Sequence, residues 1–211
     1  FSFHPVKIIT SGEGGMAITN DLGVYEKLKL LRSHGISRDK NSFKGKDKRP
    51  WIYEQQSLGW NYRLTDIAAA LGLSQLTRVK EYVKKRNQIA QEYNSRLKFL
   101  PLQCPKIENH TVSSFHLYVV RIDHKRFGYE GSQKVRDDLY SFLTTEMIGV
   151  NVHYIPIHLQ PYYQNLGFYS GQFPQAEAYA ESAITLPIHP MLKEEEQDFI
   201  IKKIEEFFNQ K

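Results

Sequence analysis

Lys7 stands in the run Phe1-Ser2-Phe3-His4-Pro5-Val6-Lys7-Ile8-Ile9-Thr10-Ser11-Gly12-Glu13-Gly14-Gly15, with no carboxylate nearer in sequence than Glu13. Between Val6 and Ile8 an amine is expected to lose solvation of its charged form, and a neutral amine is both a nucleophile and a proton carrier. The other reading of the same residues is a stem lying along apolar neighbours with its head in water. Ser2 and His4 add a hydroxyl and an imidazole, and Gly14 and Gly15 permit a tight turn. Asn61 and Arg63 follow in Gly59-Trp60-Asn61-Tyr62-Arg63-Leu64-Thr65-Asp66; by type alone they are a turn residue and a surface cation. His153, Tyr154 and His158 fall in His-Tyr-Ile-Pro-Ile-His-Leu-Gln-Pro-Tyr-Tyr, which reads as a binding edge or a packed loop. These two histidines do not share a helical face and have no carboxylate between them, so no metal site is expected.

These residues need elements to position them. Met16–Thr19 reads as a short buried strand, and Asn20-Asp21 as the cap of an amphipathic helix that ends near His34-Gly35. Residues 36–58 read as a long polar loop carrying Arg38, Lys40, Lys44, Lys46, Lys48 and Arg49, either solvated or meeting phosphate. Thr65 or Asp66 starts a helix with Ile67, Ala70, Leu71, Leu73 and Leu76 as its apolar positions, and Ala68, Ala69, Ala70 and Gly72 leave one side small. Residues 80–97 form a long helix, which Pro101 and Pro105 break; the hinge between two domains is placed there. Downstream come a strand over 113–122, a helix capped by Ser132 that runs past Met147 to a stop at Gly149, and a strand over 150–154. A helix around 174–183, a strand-like 184–187 and a final amphipathic helix from Lys193 complete an α/β chain.

Composition is that of an ordinary globular protein. The net charge is +5, but 28 cations are interspersed with 23 anions, so no nucleic-acid partner is indicated. The single Cys104 excludes an intramolecular disulfide and offers no zinc spacing, which fits a reducing compartment. No stretch approaches a membrane span and no leader pattern opens the chain, so a cytoplasmic protein with no membrane partner is expected. Phe1 opens inside a strand-like run, and the chain is read as the C-terminal part of a longer protein.

Ser-Phe-His-x-x-Lys, then Gly-Glu-Gly-Gly and an apolar run ending Thr-Asn-Asp, resembles the pyridoxal phosphate lysine segment of the DegT/StrS sugar-nucleotide aminotransferases. The Gly-Trp-Asn-Tyr-Arg motif and the 153–163 segment resemble the same family, and the likeness extends over nearly the whole chain. The resemblance implies a PLP-dependent transferase fold of type I, the aspartate aminotransferase-like α/β fold. Residues 1–80 would be the C-terminal part of the cofactor-binding large domain, and 81–211 the small α+β domain with its connecting helix.

By the same resemblance Lys7 is the Schiff-base lysine and Ser2 contacts the cofactor phosphate. Asn61 reaches the phosphate of a neighbouring subunit, which implies a homodimer with shared active sites. His4, Arg63, His153, Tyr154 and His158 fall on the substrate side, Arg63 also fixing its loop. The implied reaction carries an amino group from glutamate to C4 of a UDP-linked 4-keto-6-deoxy N-acetyl hexose, with another keto sugar nucleotide (dTDP-linked, or aminated at C3) as the alternative. A related branch of dehydratases has histidine at the lysine position, so Lys7 argues for transamination. The family's aspartate at the pyridine nitrogen and its ring-stacking aromatic lie upstream of Phe1. This stretch alone is therefore expected to hold cofactor weakly and to be inactive. The competing reading from another class is a non-enzymatic module whose basic loop grips an anion.

Overall fold

A computed structural model of the chain describes residues 1–127 and 131–209. It divides into two compact units, Phe1–Val79 and Lys80–Lys211.

The first unit opens on a closed loop. Ser2 bridges Gly15 antiparallel, with Phe3 N–H donating to Gly14 O at 2.9 Å and Met16 N–H to Phe1 O at 3.1 Å. Helix α1 (Leu22–Leu31) follows, its first turn closed by Asp21 Oδ1 accepting from Val24 N–H at 2.9 Å. Strands β1 (Ile36–Ser37) and β2 (Glu54–Gln55) pair antiparallel and pinch the intervening basic loop at its base. Helix α2 (Asp66–Leu76) starts at Thr65, whose hydroxyl accepts from Ala68 N–H at 3.2 Å. The small side expected of α2 is used: Gly72 lies over the buried Ser11, where an added Cβ would stand 3.4 Å from Ser11 Cβ.

Met16–Thr19 is neither a strand nor buried; Met16 and Ile18 are largely exposed. Apolar and β-branched character supplies only the capacity for a strand, and beyond the bridge at Gly15 no described segment of this unit offers these residues a ladder partner. No residue of α1 or α2 is buried either.

The second unit has its own core. Its sheet has the order β3-β4-β5, antiparallel throughout, from β3 (Leu102–Gln103), β4 (Tyr118–Ile122) and β5 (Ala183–Leu186). On β4, Tyr118, Val120 and Ile122 are buried in alternation, the period-two pattern of a strand with one covered face. Helix α3 (Val79–Leu97) contributes Ile89, Ala90, Tyr93 and Leu97 to this core. Helix α5 (Ser132–Thr145) contributes Val135, Leu139 and Leu143. Short helix α4 (His124–Phe127) precedes α5; α6 (Pro161–Gln164) and α7 (Pro174–Ser182) follow it. The last helix, α8 (Glu194–Asn209), buries Ile200, Ile201, Ile204, Phe207 and Phe208, a stripe at helical spacing. Each such side chain removed from water contributes roughly 1.5–3 kcal/mol.

Four expectations for this unit are corrected. Pro101 is not at a hinge: its carbonyl accepts Asp123 N–H, and Leu102 enters the sheet that α3 covers. The strand expected over 113–122 begins only at Tyr118, because Phe115 has φ 43° and turns the chain, and the carbonyls of Phe115 and His116 accept from Arg86. Helix α5 ends at Thr145, before Gly149. Met147 at φ 60° closes it, Ile148 N–H returning to Leu143 O, and Met147 projects into solvent instead of the core. Residues 150–154 form one bridge, Asn151 to Thr185, and no strand; Pro156 then carries no N–H with which to continue a ladder.

Candidate active site

In the first unit the loop that carries Lys7 is stitched almost wholly to itself. The Phe3 carbonyl accepts from both Ser11 N–H, at 3.0 Å, and Thr10 Oγ1, at 2.9 Å. Within the loop, Lys7 N–H donates to His4 O at 3.0 Å, closing the turn His4-Pro5-Val6-Lys7. Val6 N–H donates to His4 Nδ1 at 3.3 Å, and His4 N–H donates to Ser2 Oγ at 3.5 Å. The three candidates Ser2, His4 and Lys7 thus belong to one hydrogen-bonded turn.

Lys7 is half-buried, and its amine has no hydrogen bond or ion pair among the described residues. Of the two apolar neighbours expected to enclose it, Val6 points largely to solvent and Ile8 is half-buried. His4 is engaged on both ring nitrogens, Nδ1 by Val6 and Nε2 facing Glu13 Oε1 at 3.7 Å. Glu13 is a member of this group that the residue types did not single out. Its only sequence signal is its place between Gly12 and Gly14, where the loop folds back.

Asn61 and Arg63 are exposed. Asn61 bridges Ser33 antiparallel, and Trp60 stacks on Tyr62 with ring centroids 5.7 Å apart. A concave surface of about 540 Å³ brings Glu13, Gly14 and Gly15 at the base of the lysine loop together with Tyr62, Arg63 and Thr65. Ser2, Lys7 and Asn61 are not among the residues that line it.

The basic loop between β1 and β2 is organised from within. The Glu54 carboxylate accepts from Lys44 N–H and Gly45 N–H, each at 2.7 Å, and from Gln56 Nε2 at 3.0 Å; the two backbone bonds are the main causes that lower its pKa. Arg49 is paired with Asp47 and lies over Trp51, and Arg38 lies over Tyr53.

In the second unit the candidates separate. Tyr154 is exposed and packs edge-on against His153, whose Nδ1 is 2.7 Å from Thr185 Oγ1. His158 is buried, contrary to a substrate-facing role. Its Nε2 is 2.8 Å from Glu177 Oε1, and its ring meets Phe173 edge-on. Glu177 also accepts from Gly171 N–H, Phe173 N–H and Ser170 Oγ, so one carboxylate gathers the whole turn. That hydrogen bond from His158 is the first cause of a lowered Glu177 pKa, burial opposing it and the Gly171, Phe173 and Ser170 donors adding to it. Among the described residues no cluster suits a metal ion, and no helix is long and apolar enough to cross a membrane.

A lysine on a self-bonded turn, a glycine return and an Asn-Tyr-Arg segment thus stand on one α/β unit. Residues 1–205 match the model of the DegT/DnrJ/EryC1/StrS aminotransferase family, and the chain belongs to that family. It is 33% identical to UDP-4-amino-4,6-dideoxy-N-acetyl-beta-L-altrosamine transaminase of Campylobacter jejuni, over 95% of this chain and 49% of that protein. Among solved structures, a Streptococcus pneumoniae protein known in apo, PMP and PLP forms matches with a TM-score of 0.84 in its apo form. That match has 31% identity and covers all of this chain and 51% of the other. The Helicobacter pylori aminotransferase involved in the biosynthesis of pseudoaminic acid matches with a TM-score of 0.82 and 33% identity, over all of this chain and 53% of that one. The chain has the PLP-dependent transferase fold expected from its sequence, and it spans about half the length of the curated relatives it matches.

Proposed function

We propose that the protein carrying this chain is a pyridoxal phosphate-dependent aminotransferase. It moves an amino group from glutamate to C4 of a UDP-linked 4-keto-6-deoxy N-acetyl hexose. The observation that carries the reading is the Lys7 amine, unpaired among the described residues and half-buried on a turn whose backbone is held by its own hydrogen bonds. The substrate class is supported by the names of the Campylobacter and Helicobacter relatives, and the cofactor by the PLP and PMP forms of the Streptococcus protein.

The residues present fit that cofactor. An amine without a counter-ion is free for covalent attachment, and Ser2 Oγ, which accepts from His4 N–H, keeps its own O–H to donate to a phosphate. When bound, pyridoxal phosphate supplies an electron sink and a carrier for the amino group. Lys7 would hold it through Nζ, and its amine would take a proton from the α-carbon of glutamate. In the second half-reaction the Lys7 amine returns a proton to the sugar carbon that gains nitrogen. Arg63, His4, His153 and Tyr154 serve the substrate, and His158, buried against Glu177, acts by holding its segment in place. Asn61 serves the phosphate of a partner subunit in a homodimer. Residues 1–80 belong to the cofactor-binding domain and 81–211 to the small domain. The enzyme works in the cytoplasm, where a lone Cys104 is kept as a thiol.

Borohydride reduction of the intact protein with pyridoxal phosphate tests this. A mass adduct on Lys7, and a colourless Lys7→Ala variant, are expected; an adduct on another lysine, or none, refutes the enzyme reading. Intact enzyme given glutamate and a panel of keto sugar nucleotides then tests the substrate, and activity on a 3-keto sugar alone rejects amination at C4. An active monomer contradicts the shared site.

A further inference from the structure

The segment bearing Asn61 and Arg63 is fixed by a crossing of two glycines. An added Cβ at Gly59 would stand 2.3 Å from Gly35 N and 2.6 Å from Leu31 O. An added Cβ at Gly35 would stand 1.9 Å from Ser57 O, and Gly35 has φ 68°, which L side chains rarely adopt. Each clash is with backbone, which has no rotamer to swing away.

Around the crossing the chain forms a short irregular ladder. Trp60 N–H donates to Leu31 O at 2.7 Å, His34 N–H to Trp60 O at 2.8 Å and Tyr62 N–H to Arg32 O at 2.9 Å. Gln56 N–H donates to Gly35 O at 2.7 Å, and Gln55 Nε2 to His34 O at 3.0 Å. Residues 59–62 therefore run along residues 31–35, Gly59 passing against Leu31 and Gly35, and Gly35 against Ser57, at separations that only glycine allows. The Asn61 side chain has no hydrogen bond of its own among the described residues, so its position is inherited from this backbone.

We infer that Gly35 and Gly59 are positioning residues of the active site: their crossing sets where the Asn61 amide stands, and hence how tightly the cofactor phosphate is held. This rests on the reading above, in which Asn61 serves that phosphate. The glycines touch no reacting atom; they act through Asn61.

The test is a double-mutant cycle on the intact protein, read as the dissociation constant for pyridoxal phosphate. Gly59→Ala, Gly35→Ala and Asn61→Ala are each made alone, and each glycine variant is combined with Asn61→Ala. Each single variant is expected to weaken binding on the order of tenfold, as for one lost hydrogen bond to a charged group. Each glycine change should cost nothing further once Asn61 is alanine. A glycine that merely stabilises the fold would lower the melting temperature but leave the dissociation constant unmoved, or would add to Asn61→Ala; either result overturns the inference.

Should the alanine variants fail to fold, Gln55→Ala decides. Gln55 is exposed and removes only the bond to His34 O. It is expected to weaken cofactor binding about threefold, and not at all in the Asn61→Ala background; no change in the wild-type background overturns the inference. The two readings separate cleanly. A wild-type protein that traps cofactor on Lys7 but shows no coupling refutes the positioning role alone, whereas one that traps no cofactor sinks both.

Discussion

Replacing Arg86 with methionine should destabilise the second unit by about 2–4 kcal/mol. Arg86 is 6% exposed on the core-facing side of α3. Its Nη1 donates to Phe115 O and Ile188 O, both at 2.9 Å, and to His116 O at the weaker distance of 3.4 Å. Methionine keeps the length and most of the volume, so packing is largely preserved. The two strong acceptors, however, are left buried without a donor, at about 1–3 kcal/mol each. Part of that loss is repaid. The guanidinium has no carboxylate within salt-bridge distance among the described residues, its Nε is buried without a partner, and desolvation lowers its pKa. Removing an uncompensated buried charge is favourable, which brings the net below the sum of the two acceptors. Tryptophan fluorescence would miss the effect, because Trp51 and Trp60 both lie in the first unit. Amide exchange in the β4–β5 ladder, read on the intact protein, reports opening of the second unit. Exchange at Val119 and Val120 should quicken by roughly 30- to 1000-fold, at about 1.4 kcal/mol per tenfold. A change below about tenfold would refute the view that these carbonyls depend on Arg86.

Two further outcomes follow from named hydrogen bonds. Because the Glu177 carboxyl is lowered in the folded state, chiefly by His158, its contribution to stability is complete above the unfolded carboxyl's ordinary value and is lost as pH falls through the folded one. Protection of the Gly171 amide should therefore fade as pH is taken down through the carboxylate range, while Glu177→Gln should lack that dependence; identical pH profiles would contradict the assignment. Thr65→Ala removes the acceptor for Ala68 N–H at the start of α2 and should cost about 1 kcal/mol. Thermal unfolding followed by Trp60 emission measures it, and an unchanged melting temperature would show that the cap contributes nothing.

The starts of α1 and α2 were legible because caps are local chemistry, whereas Ser132, expected to cap α5, is its first residue and turns its hydroxyl to Ile122 O. Asp21 and Thr65 each accept an N–H three residues on, and no distant residue is needed. The stripe from Ile200 to Phe208 was legible for a related reason, since its spacing fixes one face whatever covers it. Strands were less legible: Met16–Thr19 and residues 150–154 have the composition of strands, but a strand exists only where a second segment pairs with it. Arg86 shows the same limit in the core. In a polar helix it reads as one more surface cation, and only the fold brings it to the carbonyl of Phe115 and that of Ile188, 102 residues further along.

The candidate site divides along the same line. Ser2, His4 and Lys7 share a turn closed by bonds over two or three residues, so their grouping was determined by the sequence. The inward turn of His158 onto Glu177, and the crossing of Gly35 with Gly59 that places Asn61, were decided only in three dimensions. Both depend on contacts between residues well separated along the chain, for which a linear pattern carries no distance.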